Sequence, residues 1–262
     1  MEKVSLPFFY QVGSGLGPLS RLVPDRASRL DILVAIFTVR PTLDTLLNSF
    51  PALTVCRGVA GELQNLMTSV VELPVKEEEW SKPLEAFTPY RTVITKAKEF
   101  EIVLTAELQG LPSYLPDQKG IYDTTLLIDQ ADRVLPASAL AKLRPPVREE
   151  LRQSGRCLAF DIGTACGFHM MRAVELVLHD YYLSVCKPNP RPRGRLNSWG
   201  AYMTKLRPIQ QDDVKEVVAI IQQLKDRHRN RLMHPEIVLG PDEAFTLFEV
   251  GQSAIIAMSQ RL

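Results

Sequence analysis

Along most of this chain the apolar residues recur at three- and four-residue spacing, which predicts helices rather than strands. After Asp31, the residues Ile32, Ala35, Ile36 and Val39 share one helical face until Arg40-Pro41 breaks the run. Thr42 to Phe50 predicts a second short helix ahead of Pro51, and Val59 to Val71 a third, with Leu63, Leu66, Met67 and Val70 on one side. Pro74 and Glu77-Glu78-Glu79 interrupt the pattern; the acidic run reads as a solvated helix start, since carboxylates favour a helix N-terminus. Thr92 to Leu108 is the clearest helix of this half, ended by Gly110 and Pro112. Ahead of these elements, residues 1–29 read as an irregular arm. The cluster Gly13-Ser14-Gly15-Leu16-Gly17-Pro18 has neither phosphate-loop spacing and reads as a plain loop.

The second half is more regular. Residues 111–124 are turn-rich, and Asp123 or Thr124 is placed to cap a short helix running through Ala131 and Val134. Pro145-Pro146 reads either as a linker or as the first turn of the next helix. Taking the boundary there, residues 1–144 form a mainly helical N-terminal region and 145–262 a helical bundle. Within the bundle, Val147 to about Asp161 is one helix, and Thr164 to about Cys186 is the longest and most apolar. A Pro/Arg connection follows. Next comes a helix capped by Asp212 or Asp213, apolar at Val214, Val217, Val218, Ile221 and Leu224 and running into Arg229. Gly240-Pro241 opens the last helix, to about Gln260. The fold class is all-α, and four long helices joined by loops are the inventory of an antiparallel bundle. The N-terminal helices read as short and marginal alone, so that half is expected to pack on the bundle.

Composition narrows the chemistry. The 262 residues carry a net charge of +1, which gives no global drive toward nucleic acid or anionic membrane. The charge is uneven, however: residues 151–262 hold 15 Lys and Arg against 11 Asp and Glu, together with all four histidines. Cys56, Cys157, Cys166 and Cys186 lack CxxC spacing and read as reduced thiols. No basic stretch followed by an apolar run opens the chain, and Ile32–Val39 is too short to span a bilayer, so a cytoplasmic protein without membrane association is expected. His228 and His234 are six apart, and there is neither HExxH nor GxSxG; no metal and no cofactor are expected.

Chemistry concentrates in Arg229-Asn230-Arg231-Leu232-Met233-His234. Arg is a fixed cation that binds phosphate oxygens bidentately, and His titrates near neutral pH. Together they form a minimal site for moving a phosphoryl group without metal. The long apolar helix carries His169, Arg172, Glu175 and His179 within an arc of about 120°. Such a stripe needs partners. Either Arg172 and Glu175 pair with each other, three residues apart, or Glu175 or His169 faces Arg229 and His234 from a neighbouring helix. The connection bearing Arg191, Arg193, Arg195 and Lys205, beside Trp199 and Tyr202 and with Arg231 beyond, reads as a solvated loop or as a surface binding RNA by charge and stacking.

Arg229-Asn230 with His234 and the following Pro235 resembles the Rx4–6H motif of the HEPN superfamily. Gly155–Ala159, Thr164–Glu175 with its Phe-His-x-x-Arg-Ala-x-Glu, and Trp199-Gly200 resemble stretches of bacterial HEPN-like proteins, as does Gly120–Asp123. The resemblance covers about residues 145–260. It implies a bundle that forms a homodimer with two Arg/His pairs facing each other. It also implies a metal-independent endoribonuclease that leaves 2′,3′-cyclic phosphate and 5′-hydroxyl ends, in phage defence or a toxin–antitoxin setting with an antitoxin or defence partner. In that reading Arg229, Asn230, His234 and Glu175 are catalytic, His169 and Arg172 support them, and Arg191, Arg193, Arg195, Trp199, Lys205 and Arg231 bind RNA. Other members are non-catalytic modules that bind nucleotides or proteins, and this alternative stands beside the first. Members silenced by tyrosine modification carry Tyr two residues after the motif His; here that position is Glu236, so control by that route is not expected.

Overall fold

The computed structural model describes residues 6–50, 53–74, 88–187, 198–232 and 234–262. The protein is all-α, and it divides into two compact units, Met1–Ser113 and Tyr114–Leu262. The acidic run Glu77–Glu79 lies outside the described residues.

The first unit contains α1 (Leu6–Ser20), α2 (Arg29–Ser49), α3 (Thr54–Val71) and α4 (Thr88–Gln109). Each helix packs on two others, so the four close on one another around Leu16, Ile36, Leu43, Leu63, Met67 and Phe100. Three expectations are corrected here. Residues 6–20, read as part of an irregular arm, form α1 with three glycines and Pro18 inside it. Val12, Leu16 and Leu19 supply a fully buried face at helical spacing, and that burial outweighs weak local propensity. Nor does Pro41 end a helix: α2 runs through it, because Ile32, Ile36, Val39, Leu43 and Leu46 form one buried face on both sides of the proline, whose ring is solvent-exposed. Burial along the whole face offsets the single backbone hydrogen bond that proline removes. Finally, the helices read as short are 15, 21, 18 and 22 residues long. Ser28 starts α2 with a capping box: its hydroxyl accepts from Asp31 N (3.3 Å) and its own N–H donates to the Asp31 carboxylate (2.8 Å). From α4, Glu107 accepts from the N–H groups of Val55 (3.1 Å) and Cys56 (2.7 Å), satisfying orphan donors of α3.

The second unit contains α5 (Thr124–Gln130), a 3₁₀ turn (Ala131–Val134), α6 (Ala137–Leu140), α7 (Pro145–Ala159) and α8 (Gly163–Cys186). After these come α9 (Trp199–Leu206), α10 (Asp212–Leu224), a π-helical turn (Lys225–Arg229), α11 (Asn230–Leu232) and α12 (Pro241–Ser259). Residues from Tyr114 onward belong to this unit, with Leu127 and Ala131 in its core. Asp123 caps α5 by accepting from Leu126 N (2.8 Å), and Pro145 occupies the first turn of α7. At α10 the expected cap is corrected: Gln211 is the N-cap without a side-chain bond, and Asp212 and Asp213 lie inside the first turn. Asp213 is instead engaged by both Nε and Nη2 of Arg261.

α8 is the hub, packing against α7, α9 and α12 and burying Met170, Val174, Val177, Leu178, Tyr181 and Tyr182. The turn from α7 into α8 is a Schellman closure. Ile162 N–H donates to Cys157 O (2.8 Å) and Asp161 N–H to Leu158 O (3.2 Å), with Asp161 left-handed at φ 57°. On the other face of α7, Gly155 admits close approach of α5: a Cβ there would run into Ala131 Cβ and lie 3.0 Å from Leu127 O.

Among the described residues of this unit, the buried charge is Asp132, in the 3₁₀ turn and 0 % exposed. Arg148 and Arg152 of α7 grip it, with Nε–O distances of 2.9 Å each. Burial pushes this carboxyl up, but the hydrogen bonds from Arg152 and Arg148 outweigh it and hold the pKa below the ordinary 3.8. Asp132→Asn is therefore expected to cost about 2–3 kcal/mol, below the range for fully buried pairs because both arginines reach solvent. A carboxyl lowered on folding stabilises above its unfolded pKa and loses that contribution as pH falls through the folded value. Urea unfolding of wild type and Asp132→Asn at neutral pH and at about pH 2.5 should thus show the gap between them closing in acid.

Candidate functional site

The Arg229–His234 segment is built by a change of helical register. α10 continues into a π-helical turn, closed by Asn230 N–H donating to Lys225 O, and then into the single α-turn of α11. π turns inside helices recur at functional sites because they re-aim the following side chains. Leu232, 3 % exposed, anchors the end of this segment in the core. The chain then turns sharply: His234 N–H donates to Arg231 O (3.0 Å) and Ile237 N–H to His234 O (3.1 Å). The far side of the turn is fastened to the start of α8. Leu239 N–H donates to Thr164 Oγ1 (3.1 Å), and Gly163 has no room for a side chain against the Leu239 carbonyl.

Arg229 has a side chain 29 % exposed and two supports. Its guanidinium carbon lies 5.4 Å from the centre of the Trp199 ring, a cation–π distance, and its Nη2 lies 3.8 Å from Glu175 Oε2. Glu175 therefore faces Arg229 from α8, one of the two arrangements open from the sequence. Arg172 and Glu175 form no ion pair with each other. His234 is exposed, and its imidazole has no hydrogen bond or ion pair among the described residues. Asn230 is exposed as well, and Arg231 is exposed with Nη2 3.8 Å from Glu243.

His169 and Arg172 of the α8 stripe turn toward α7. Glu150 takes His169 Nδ1 on one oxygen (2.7 Å) and Arg172 Nη2 on the other (2.8 Å). Glu150 was not singled out from the sequence, because a second carboxylate in Glu149-Glu150 on an amphipathic helix has no local mark. His179 lies 3.1 Å from Asp180 Oδ1 and edge-on to Tyr202, which stacks on Tyr182.

The RNA-binding expectation is altered at one position and open at others. Trp199 is 1 % exposed, so its face serves Arg229 and is closed to a nucleic-acid base. Tyr202, at 2 %, is equally covered. Their apolar rings complete the core around α8 instead. Lys205 is exposed on α9. Arg191, Arg193 and Arg195 lie outside the described residues.

His228, also missed, lines a cavity of about 200 Å³ with Arg227, Arg231, Leu239, Asp242, Glu243 and Thr246. Burial, followed by the charges of Arg231 and Arg227, lowers its pKa from the ordinary 6.5. Among the described residues, no three His, Cys, Asp or Glu side chains converge as metal ligands, and no helix is long and apolar enough to cross a membrane. Comparison with family models, curated proteins and solved structures finds no match to this chain.

Two outcomes follow from this geometry. Gly163→Ala is expected to destabilise the protein by about 1–3 kcal/mol, measured by urea unfolding, because the new methyl must displace the Leu239 backbone. For His228 the folded pKa is depressed, so the unfolded chain binds the extra proton as pH falls below about 6.5 and stability declines there. His228→Gln should therefore narrow the difference in unfolding free energy between about pH 7.5 and about pH 5.

Proposed function

We propose that the second unit is a HEPN-like, metal-independent endoribonuclease acting at Arg229 and His234. The observation that carries this reading is a part-exposed guanidinium, held on Trp199 and beside Glu175, followed by an exposed imidazole with no partner among the described residues. Arg229 holds the scissile phosphate and stabilises the charge that develops on it. The ribose 2′-oxygen attacks phosphorus, the bond to the 5′-oxygen breaks, and the products are a 2′,3′-cyclic phosphate and a 5′-hydroxyl. His234 takes the 2′-hydroxyl proton or gives one to the leaving oxygen. In a homodimer, the second copy's imidazole would serve the other transfer. Glu175 is a positioning residue: at 3.8 Å from a part-exposed arginine it is a loose counter-ion that a phosphate can displace. Asn230 is exposed next to Arg229 and would contact the phosphate, while His169 and Arg172, tied to Glu150, support the α8 face. Lys205 and Arg231, with Arg191, Arg193 and Arg195, would hold the flanking backbone. A defence or toxin–antitoxin role, with a cognate partner protein, is the context this activity suits.

A second reading rests on the same contacts. Trp199 and Glu175 give Arg229 a structural role as a brace between α8, α9 and the π turn, which suits a non-catalytic nucleotide- or protein-binding module.

Cleavage of a labelled RNA pool in EDTA separates the two. The nuclease reading expects cutting by the native protein, with His234→Ala and Arg229→Ala folded but slower by about a hundredfold or more. Glu175→Gln should retain cutting and change mainly KM, because it frees the guanidinium for phosphate. Cleavage abolished by EDTA would overturn the metal-independent mechanism, and equal inertness of all folded proteins on RNA would replace the nuclease with the binding module.

A further inference from the structure

The second unit carries a larger cleft, of about 410 Å³, whose lining shares no residue with the Arg229–His234 segment. Three helices form it: α8 contributes Tyr181, α10 contributes Asp213, Glu216 and Val217, and α12 contributes Ser253, Ile256 and Ala257, with Gln260 and Arg261 just beyond. A volume of this order suits a small organic ligand.

Polar groups in the cleft are unevenly satisfied. Tyr181 is 1 % exposed, and its Oη is buried without a hydrogen-bond partner among the described residues. Such a hydroxyl normally finds a partner, since leaving it unpaired is costly. Tyr181 itself belongs to the lining of the cleft. Burial, and after it the charge of Asp213, pushes its pKa up to about 12. The charges of Asp213 and Arg261 cancel, because Arg261 places Nε and Nη2 on the Asp213 carboxylate. Glu216 has no ion pair among the described residues and remains as the uncompensated charge of the lining. Val217, Ile256 and Ala257 provide an apolar surface among these groups.

We propose that this cleft binds a small organic cation bearing a hydroxyl, with its ammonium against Glu216, its apolar body on Val217, Ile256 and Ala257, and its hydroxyl meeting Tyr181 Oη. The site is independent of the nuclease reading, and its test does not involve RNA. The probe is 2-amino-1-phenylethanol, titrated into the full chain and followed by amide NMR shifts. Its neutral analogue 1-phenylethanol and its charge-reversed analogue mandelate serve as controls. Saturable shifts are expected at Ser253, Ile256 and Ala257, with both controls weaker by about tenfold. Glu216→Gln should weaken the cation by about fivefold while leaving 1-phenylethanol unaffected. Tyr181→Phe should weaken the cation by about threefold without loss of thermal stability, since the hydroxyl it removes has no partner to lose. Mandelate binding as well as the cation, shifts centred elsewhere, no saturable shift, or affinity unchanged in Glu216→Gln would each overturn the assignment.

Discussion

α8 is apolar on most of its circumference, so neighbours must cover it on several sides at once. That requirement places α7, α9 and α12 around it, and the polar stripe then determines how each neighbour is oriented. The part-buried His169 and the exposed Arg172 both meet Glu150 of α7, while Glu175 meets Arg229 at the end of the π turn. Burying a polar edge on an apolar helix is costly unless each group finds a partner. The α8 stripe thus acts as a set of registration marks for the elements packed against it.

The same economy governs the close approaches. Gly155 lets α5 and its 3₁₀ extension press against α7, and Gly163 lets the Leu239 backbone lie on the first turn of α8. In both places a neighbouring element occupies the space where a side chain would otherwise stand: Ala131 and the Leu127 carbonyl at Gly155, and the Leu239 backbone at Gly163. The segment carrying His234 is therefore fixed at both ends, by buried Leu232 before it and by Leu239 on Thr164 after it, while the imidazole between them stays open to solvent.

Helices with strong periodicity were legible in the sequence: Thr92–Leu108, Thr164–Cys186, the Val214–Leu224 face and the helix after Gly240-Pro241 all match the structure to within a few residues. The misses share a cause. At Gly13–Pro18 and at Pro41, local punctuation argued for breaks, yet the buried faces of α1 and α2 cross them uninterrupted, and tertiary burial wins over propensity. At Asp213 a good capping residue is drawn off by Arg261, 48 positions away in the sequence and invisible to any local rule. Around the site, the Arg229–Glu175 approach was one of two arrangements the spacing allowed. Glu150 and His228 had no signal, because their significance comes only from what packs beside them.

The π turn at Lys225–Arg229 carries a consequence for how this segment tolerates change in length. It amounts to one residue inserted into an otherwise α-helical path, so all that follows is rotated by about 100° relative to an unbroken helix. Closing that turn by a single-residue deletion would leave the composition almost unchanged and would swing Arg229 off the Trp199 face and away from Glu175. Substitutions are judged one side chain at a time, but an insertion or deletion between Leu224 and Asn230 alters the phase of the whole segment. Its length, more than any one residue in it, is what the neighbouring helices read.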